Sequence, residues 1–260
     1  MIEKRSVERN FSRGSKYYDE NAVVQKYMAE KLFEIISKEE IKYNNILEIG
    51  CGTGIFSKKI ADFFNESFID LIDISQEMIN ESQKKIKPSE KTNYFCCDAE
   101  KYKADKKYDL IVSNAVFQWF EDIEKVMENY FEMLNNGGII AFSVFGEGTY
   151  EELKKSFVNA NIGYNYIQPF ITKERLTNKM VELSGNFSFL EEIYIEKYKS
   201  VREFLKYIRD IGANSAKENK PILTPSKIKK VEQIYTENYS EKGEILSTNV
   251  LFFCLIKKEK

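Results

Sequence analysis

Between residues 21 and 40, Ala22, Val23, Tyr27, Met28, Leu32, Phe33, Ile35 and Ile36 recur at three- and four-residue intervals, a spacing that predicts an amphipathic helix with one buried face. The segment before it, Phe11 to Asn21, reads as a loop or a short helical arm. A short apolar run follows at Tyr43 to Ile49 and ends in a glycine cluster, and helical spacing resumes from Ile55 to Asn65. The implied order is strand, turn, helix. The alternation continues with strands near Phe68 to Ile72, Tyr94 to Cys97 and Tyr108 to Ser113, and helices near Gln76 to Lys85 and Ile123 to Leu134. Asn135-Asn136-Gly137-Gly138 reads as a helix stop before the strand Ile139 to Val144. Such alternation predicts an α/β fold: a mostly parallel sheet, helices on both faces, and ligands at the carboxyl ends of the strands.

After Phe145 the pattern changes. Residues 149 to 184 read as helices separated at Pro169, and residues 200 to 240 as two more around a turn from Pro221 to Pro225. Phe187 to Tyr198 and Asn249 to Lys257 read as an antiparallel pair closing the sheet edge, which makes the helical stretch between them a candidate lid. With 260 residues, the expected organisation is a single domain over 1–260: a helical arm at 1–40, a cofactor-binding core at 43–145, and substrate-side helices, lid and closing strands at 146–260.

Composition removes several classes of function. Charged residues make up 31% of the chain but cancel to a net charge of -2, which argues against a dedicated nucleic-acid binder. No apolar run approaches the roughly 20 residues that span a bilayer, and the N-terminus lacks the apolar core of a secretory signal, so a cytoplasmic, membrane-free protein is expected. Cys51, Cys96, Cys97 and Cys254 fit reduced core residues better than a disulfide framework. The chain has no histidine, so imidazole bases, Ser-His-Asp triads and the common His-based metal sites are excluded, and no metal site is expected.

Chemistry concentrates at the predicted strand ends. Glu48-Ile49-Gly50-Cys51-Gly52-Thr53-Gly54 sets three glycines at alternate positions between a strand and a helix, where a tight turn lets backbone approach a ligand. The spacing is E-x-G-x-G-x-G rather than the G-x-G-x-x-G that seats a dinucleotide pyrophosphate. Asp73 ends the second strand, where a carboxylate can accept from ribose hydroxyls; it can also be read as a helix cap, but Ser75 is better placed to cap the next helix. Asp98-Ala99 and Ser113-Asn114-Ala115 end the third and fourth strands. Each is weak alone, and their order at successive strand ends is the stronger signal.

The segments LEIGCGTG, LIDIS, CCDAE, SNAVFQWF and NNGGIIAFSVF resemble the ordered motifs of the Rossmann-like class I S-adenosylmethionine methyltransferases. That resemblance implies S-adenosylmethionine as co-substrate. It places Glu48 and Gly50 at the methionine moiety, Asp73 at the ribose, Asp98 and Ala99 at the adenine, and Asn114 near the methionine end, with Gly52, Gly54 and Ile74 also binding the cofactor. Together with NFSRGSKYYDENAVVQ, FSVFGEGTYEEL, YIRDIGAN and PILTPSKIKKVEQIY, these segments also resemble, nearly end to end, the malonyl-acyl-carrier-protein O-methyltransferases of biotin synthesis. The resemblance implies methylation of the free carboxylate of a malonyl thioester, carried by acyl carrier protein or coenzyme A.

A carboxylate is ionised at neutral pH and needs no general base to attack a sulfonium methyl group, so a histidine-free chain suits the reaction. Arg13 and Arg209, in family-like segments, are the candidate carboxylate clamp, and Tyr18 is the candidate positioning residue over the methionine end. Lys217, Lys220, Lys227, Lys229 and Lys230 form a candidate docking face for an acidic carrier protein. Two alternatives share the cofactor motifs: a methyltransferase for another small acid or a quinone-like acceptor, and a non-catalytic cofactor-binding regulator.

Overall fold

A computed structural model describes residues 3–39, 42–162, 169–212 and 224–260. Two helices, α1 (Lys4–Asn21) and α2 (Val23–Ile36), precede the alternating unit β1 (Asn45–Ile49), α3 (Ile55–Phe63), β2 (Phe68–Asp73), α4 (Gln76–Lys85), β3 (Thr92–Cys96), β4 (Tyr108–Asn114), α5 (Ile123–Glu132) and β5 (Leu134–Phe145). The remainder comprises α6 (Glu151–Asn159), α7 (Lys173–Leu183), β6 (Phe187–Tyr198), α8 (Val201–Asp210), α9 (Pro225–Tyr239), β7 (Ser240–Glu241) and β8 (Glu244–Lys257).

The strands form one sheet in the order β3-β2-β1-β4-β5-β8-β6, with β7 paired to β8. Neighbours from β3 to β5 are parallel, while β8 runs antiparallel to both β5 and β6. Because β1 pairs with β2 on one side and β4 on the other, strand order reverses at β1, and a crevice opens above its carboxyl end.

Side-chain alternation along the strands builds two cores. Ile46, Leu71, Leu110, Val112 and Ala141 face Met28, Leu32, Phe56 and Ile60 of α2 and α3. Leu47, Ile49, Ile72, Ile111 and Ile140 face Val126, Met127, Leu176 and Met180 of α5 and α7. A third core joins α6, α8 and α9 through Leu153, Phe157, Phe204, Ile208, Val231 and Tyr235.

Several elements depart from the sequence reading. The N-terminal segment is an 18-residue helix, α1, rather than a loop or short arm. β8 starts at Glu244, earlier than expected, because its first residues hairpin with β7 and pair with the end of β6. Asn135 to Gly138 are not a helix stop: α5 ends at Glu132, and these residues lie inside β5, where Gly137 at φ 77° accompanies a register shift opposite Tyr108 and Leu110. Cys96 is exposed at the end of β3, whereas Cys51 and Cys254 are buried, and all four cysteines are free thiols. Among the described residues, no helix is long and apolar enough to cross a membrane.

One buried charge stands out in β2. The Asp70 carboxylate, 2% exposed, accepts from the Tyr108 hydroxyl at 2.8 Å and the Asn93 amide at 3.0 Å and pairs with Lys106 at 2.8 Å. Asp70→Ala removes these contacts from a buried position, leaving Tyr108 only its hydrogen bond with the Tyr102 hydroxyl, and should cost about 3 kcal/mol of unfolding free energy in a denaturant titration, while Asp70→Asn, which retains an acceptor, should cost less.

Candidate active site

Three connected chambers lie above the carboxyl ends of the parallel strands. The largest, a cleft of about 660 Å³, is bounded by Gly50, Gly52, Asp73, Ile74, Asp98, Ala99 and Asn114 below and by Lys4, Val7, Phe11 and Tyr18 of α1 above. A second chamber contains Glu48, Gly50, Gly52, Gln25 and Asn114, and a third, of about 440 Å³, is walled by Phe11, Trp119, Phe145, Tyr150 and Phe170, with Gln25 and Gln118 as its amides. Tyr18 lines all three.

The glycine turn sets this geometry. The N–H groups of Gly50 and Cys51 both donate to the Ile72 carbonyl, at 2.8 and 3.0 Å, which pins the turn to β2. Gly50 and Gly52 adopt φ of 69° and 53°, the left-handed region that favours glycine. The Gly52 N–H, freed by this path, donates to the Asp73 carboxylate at 2.8 Å, and the Ser75 N–H donates to its other oxygen at 2.9 Å. Burial pushes Asp73 up to about 6, against the opposing pull of the N–H groups of Ser75, Gly52 and Ile74. Ser75 caps α4, accepting from the Met78 N–H, so Asp73 is not the helix cap.

Glu48 is 1% exposed, and its Oε2 has no hydrogen-bond partner among the described residues. Burial pushes it up to about 8, with Ser57 pulling down and the neighbouring Asp73 pushing further up. The cleft and the second chamber thus each hold one carboxyl group, Asp73 and Glu48, whose ionisation is suppressed by burial. Asn114 is fixed at both ends, donating to the Gln25 carbonyl at 3.0 Å and accepting from the Ser143 hydroxyl at 2.7 Å. The next residue, Ala115, is turned into the left-handed region at φ 56° and lines both the cleft and the third chamber.

Three site expectations change. Gly54 lines none of the three chambers. Its φ is 84°, and any Cβ there would lie 2.6 Å from Ser82 Oγ, so glycine is needed for the start of α3 to pack on α4. Arg13 and Arg209 are exposed and line none of these three chambers, and Arg209 lies 3.4 Å from Asp210, so among the described residues nothing brings them together as the expected clamp. Lys4, Val7 and Phe11, to which the sequence assigns no site role, join the roof of the cleft. Their spacing with Tyr18 puts all four on one face of α1, the helical signal that could have located them.

α1 is tied down along its length. Lys4 pairs with Glu100 and donates to the Trp119 carbonyl at 3.0 Å; Ser12 donates to Glu77 at 2.7 Å; Asp19 accepts from Thr53 at 2.5 Å and pairs with Lys85 at 2.6 Å. Phe11 meets Trp119 edge-on at 5.3 Å between ring centroids.

The two glycines of the cleft floor differ in what they tolerate. A Cβ on Gly50 would collide with the Val116 side chain, whereas one on Gly52 would meet nothing within 4 Å. Gly50→Ala should therefore destabilise by about 3 kcal/mol and Gly52→Ala by only about 1 kcal/mol, read from thermal unfolding. The two carboxyl groups make stability depend on pH. Since Glu48 and Asp73 bind protons more tightly folded than unfolded, the ligand-free protein should lose stability as pH rises from about 4.5 towards 8. Each group contributes a slope of at most about 1.4 kcal/mol per pH unit, and Glu48→Gln should flatten the upper part of that window in denaturant titrations at several pH values.

The family pattern described as "Methyltransferase domain" matches residues 47–140. In fold, the chain is similar to the YcgJ protein from Bacillus subtilis, with a TM-score of 0.62 at 14% identity, covering 89% of this chain and 99% of that one. It is also similar to the plantazolicin methyltransferase BpumL, solved in complex with a pentazolic desmethylPZN analogue and SAH, with a TM-score of 0.53 at 15% identity over 99% of this chain and 98% of that one. Sequence similarity is much closer to malonyl-[acyl-carrier protein] O-methyltransferase 1 of Ilyobacter polytropus, 43% identical over 100% of this chain and 97% of the relative. The enzyme of the same name from Bacillus cytotoxicus is 35% identical over 100% of this chain and 93% of its own length. With a class I methyltransferase cleft at its strand ends and this identity along its whole length, the chain belongs to the malonyl-[acyl-carrier protein] O-methyltransferase family.

Proposed function

We propose that this protein transfers the methyl group of S-adenosylmethionine to the free carboxylate of malonyl-acyl carrier protein, giving the methyl ester primer for pimeloyl and biotin synthesis. The observation that carries this reading is the junction at Tyr18: a cleft carrying the carboxyl groups of Asp73 and Asp98 meets an acceptor chamber lined, among the described residues, only by aromatic, aliphatic and neutral polar side chains.

When bound, S-adenosylmethionine supplies a methyl group on a sulfonium, whose transfer forms an O–CH3 bond as the S–CH3 electron pair returns to sulfur. No proton has to be removed from an ionised carboxylate. The protein's part is to bind, orient and exclude water. Glu48 and Asp73 fit the polar ends of the cofactor, Glu48 because its buried Oε2 lacks a donor and an ammonium would supply one, and Asp73 because its carboxylate faces the cleft where ribose hydroxyls can donate. Ile74, Asp98 and Ala99 line the far end of the cleft, where the adenine would lie, and Gly50, Gly52 and Asn114 line both the cleft and the methionine chamber. Tyr18 is held neutral by burial and by the carboxylates of Asp73 and Asp19, so its hydroxyl remains a donor at the point of transfer.

On the carrier side, Lys227, Lys229 and Lys230 lie in the first turns of α9 on an exposed surface suited to an acidic partner. Lys217 and Lys220, and Ala213 and Asn214 of the family-like IGAN segment, lie outside the described residues. Malonyl-coenzyme A would present the same reacting carboxylate without the carrier's acidic surface.

Mass spectrometry of malonyl-acyl carrier protein incubated with the enzyme and S-adenosylmethionine should show one added methyl group, lost when unsubstituted carrier is used. Cofactor binding without methyl gain would favour another acceptor or a regulator. Asp73→Ala should weaken cofactor binding roughly 10-fold or more by isothermal titration, and unchanged affinity would remove the ribose assignment.

A further inference from the structure

Gln25 lines both the methionine chamber, with Glu48 and Gly50, and the acceptor chamber, with Trp119 and Tyr150. It is 7% exposed, and its side-chain Oε1 is buried with no hydrogen-bond partner among the described residues. A buried amide oxygen left unpaired costs on the order of 1–3 kcal/mol, so its retention calls for a ligand that supplies the missing donor.

The main chain of Gln25 is held in place. Its carbonyl accepts from Asn114 Nδ2 at 3.0 Å, and Asn114 in turn is fixed by Ser143 at 2.7 Å. The side chain therefore projects from a backbone anchored to the carboxyl end of β4. Gln25 also lies in the first turn of α2, whose N-cap Ala22 makes no side-chain cap, so the positive end of the helix dipole adds to an environment that favours an anion. Among the described residues, the acceptor chamber presents no arginine or lysine that could serve instead.

From these observations we infer that the Gln25 amide bridges the two reactants, its oxygen accepting from the cofactor's α-ammonium and its nitrogen donating to one oxygen of the acceptor carboxylate. An amide offers an acceptor and two donors about 2 Å apart, and rotation about its last bond lets either end face either chamber. A neutral donor orients the carboxylate without the tight ion pair that an arginine would form, and the second carboxylate oxygen is left to attack. Gln25 is thus a positioning residue that links cofactor occupancy to acceptor orientation, a role that rests on the proposed methyl transfer to malonyl carrier.

The test uses two variants of the full-length enzyme, with S-adenosylmethionine affinity measured by isothermal titration and methylation of malonyl-acyl carrier protein measured separately. Gln25→Glu keeps an acceptor for the ammonium but replaces the donor with a negative charge facing the acceptor. It also suits the first turn of a helix, so folding should be preserved. Gln25→Met keeps the length and removes both functions. Gln25→Glu should hold cofactor affinity within about threefold of wild type and lose roughly 100-fold in kcat/KM for the malonyl carrier. Gln25→Met should lose roughly 10-fold in both cofactor affinity and kcat/KM. Methylation by both variants within about threefold of wild type would overturn the role, as would equal losses of cofactor affinity in the two variants, which a merely structural contribution would produce. Wild-type enzyme that binds the cofactor but leaves malonyl carrier unmethylated would overturn the functional reading itself, and with it the acceptor half of the bridge.

Discussion

The Ile72 carbonyl receives two backbone N–H groups, those of Gly50 and Cys51, and the rest of the site depends on this doubled bond. It holds the chain leaving β1 against the end of β2, and the left-handed residues that follow turn the Gly52 N–H outward to Asp73. Four consequences come from one local constraint: the turn is narrow, the strand ends of β1 and β2 are in register, Asp73 is drawn to the floor of the cleft, and Glu48 remains two residues below it in the β1–β2 register, buried beside Ser57 of α3. The glycine cluster is therefore a mechanical part of the fold as well as a surface for a ligand. Gly50 admits the Val116 side chain, Gly52 leaves open space above it, and Gly54 lets two helices touch.

The second constraint is α1. It contributes little to the two central cores, and its buried residues are mostly small: Ser6, Val7, Gly14 and Ser15. What holds it is a series of polar attachments to the loops at the strand ends, from Lys4 near β3 to Asp19 at the glycine turn. Gly14 completes this arrangement, because a Cβ there would come within 2.8 Å of the Asp210 carbonyl where α1 meets the end of α8. A helix secured by exposed and half-buried polar contacts opens at lower cost than one secured by a hydrophobic core. That is the property a cover over a ligand cleft requires, and it explains why the residues that roof the cleft lie on the least apolar helix of the N-terminal half.

The same physics decides what is legible from sequence. β1 to β5 and their helices are readable because burial on both faces of a parallel sheet demands apolar runs broken by helical spacing, and the carboxyl-end rule then locates Glu48, Asp73, Asp98 and Asn114 together. α1 is obscured because its apolar face is narrow and interrupted by polar residues that bond across to other elements, a signal that exists only in three dimensions. Arg13 and Arg209 carry the charge that a carboxylate attracts, but their helices point them to solvent. Gly54 joins its neighbours by spacing alone, although the close partner that demands glycine is Ser82, distant in sequence. Gln25 sits inside a family-like segment without a visible role because nothing in a one-dimensional pattern reveals that its amide oxygen has no partner among the described residues.

The distribution of charge between the chambers bears on how a chain without histidine performs this chemistry. On the proposed cofactor side carboxyl groups concentrate at Glu48, Asp73 and Asp98, while the proposed acceptor side is, among the described residues, aromatic with neutral amides and hydroxyls. A sulfonium cofactor brings positive charge into the first region, which offsets the burial penalty on Glu48 and Asp73 and favours their ionised forms. In the proposed reaction a carboxylate acceptor entering the second region finds counter-charge in the sulfonium it attacks, and no lysine or arginine lines this region among the described residues. Attraction and reaction coordinate coincide, and a competing arginine would draw the nucleophile away from the methyl group. With carboxyl groups on the cofactor side and, among the described residues, a neutral acceptor chamber, the proposed arrangement directs the acceptor towards the transferable methyl, and no protein base has to take a proton from it.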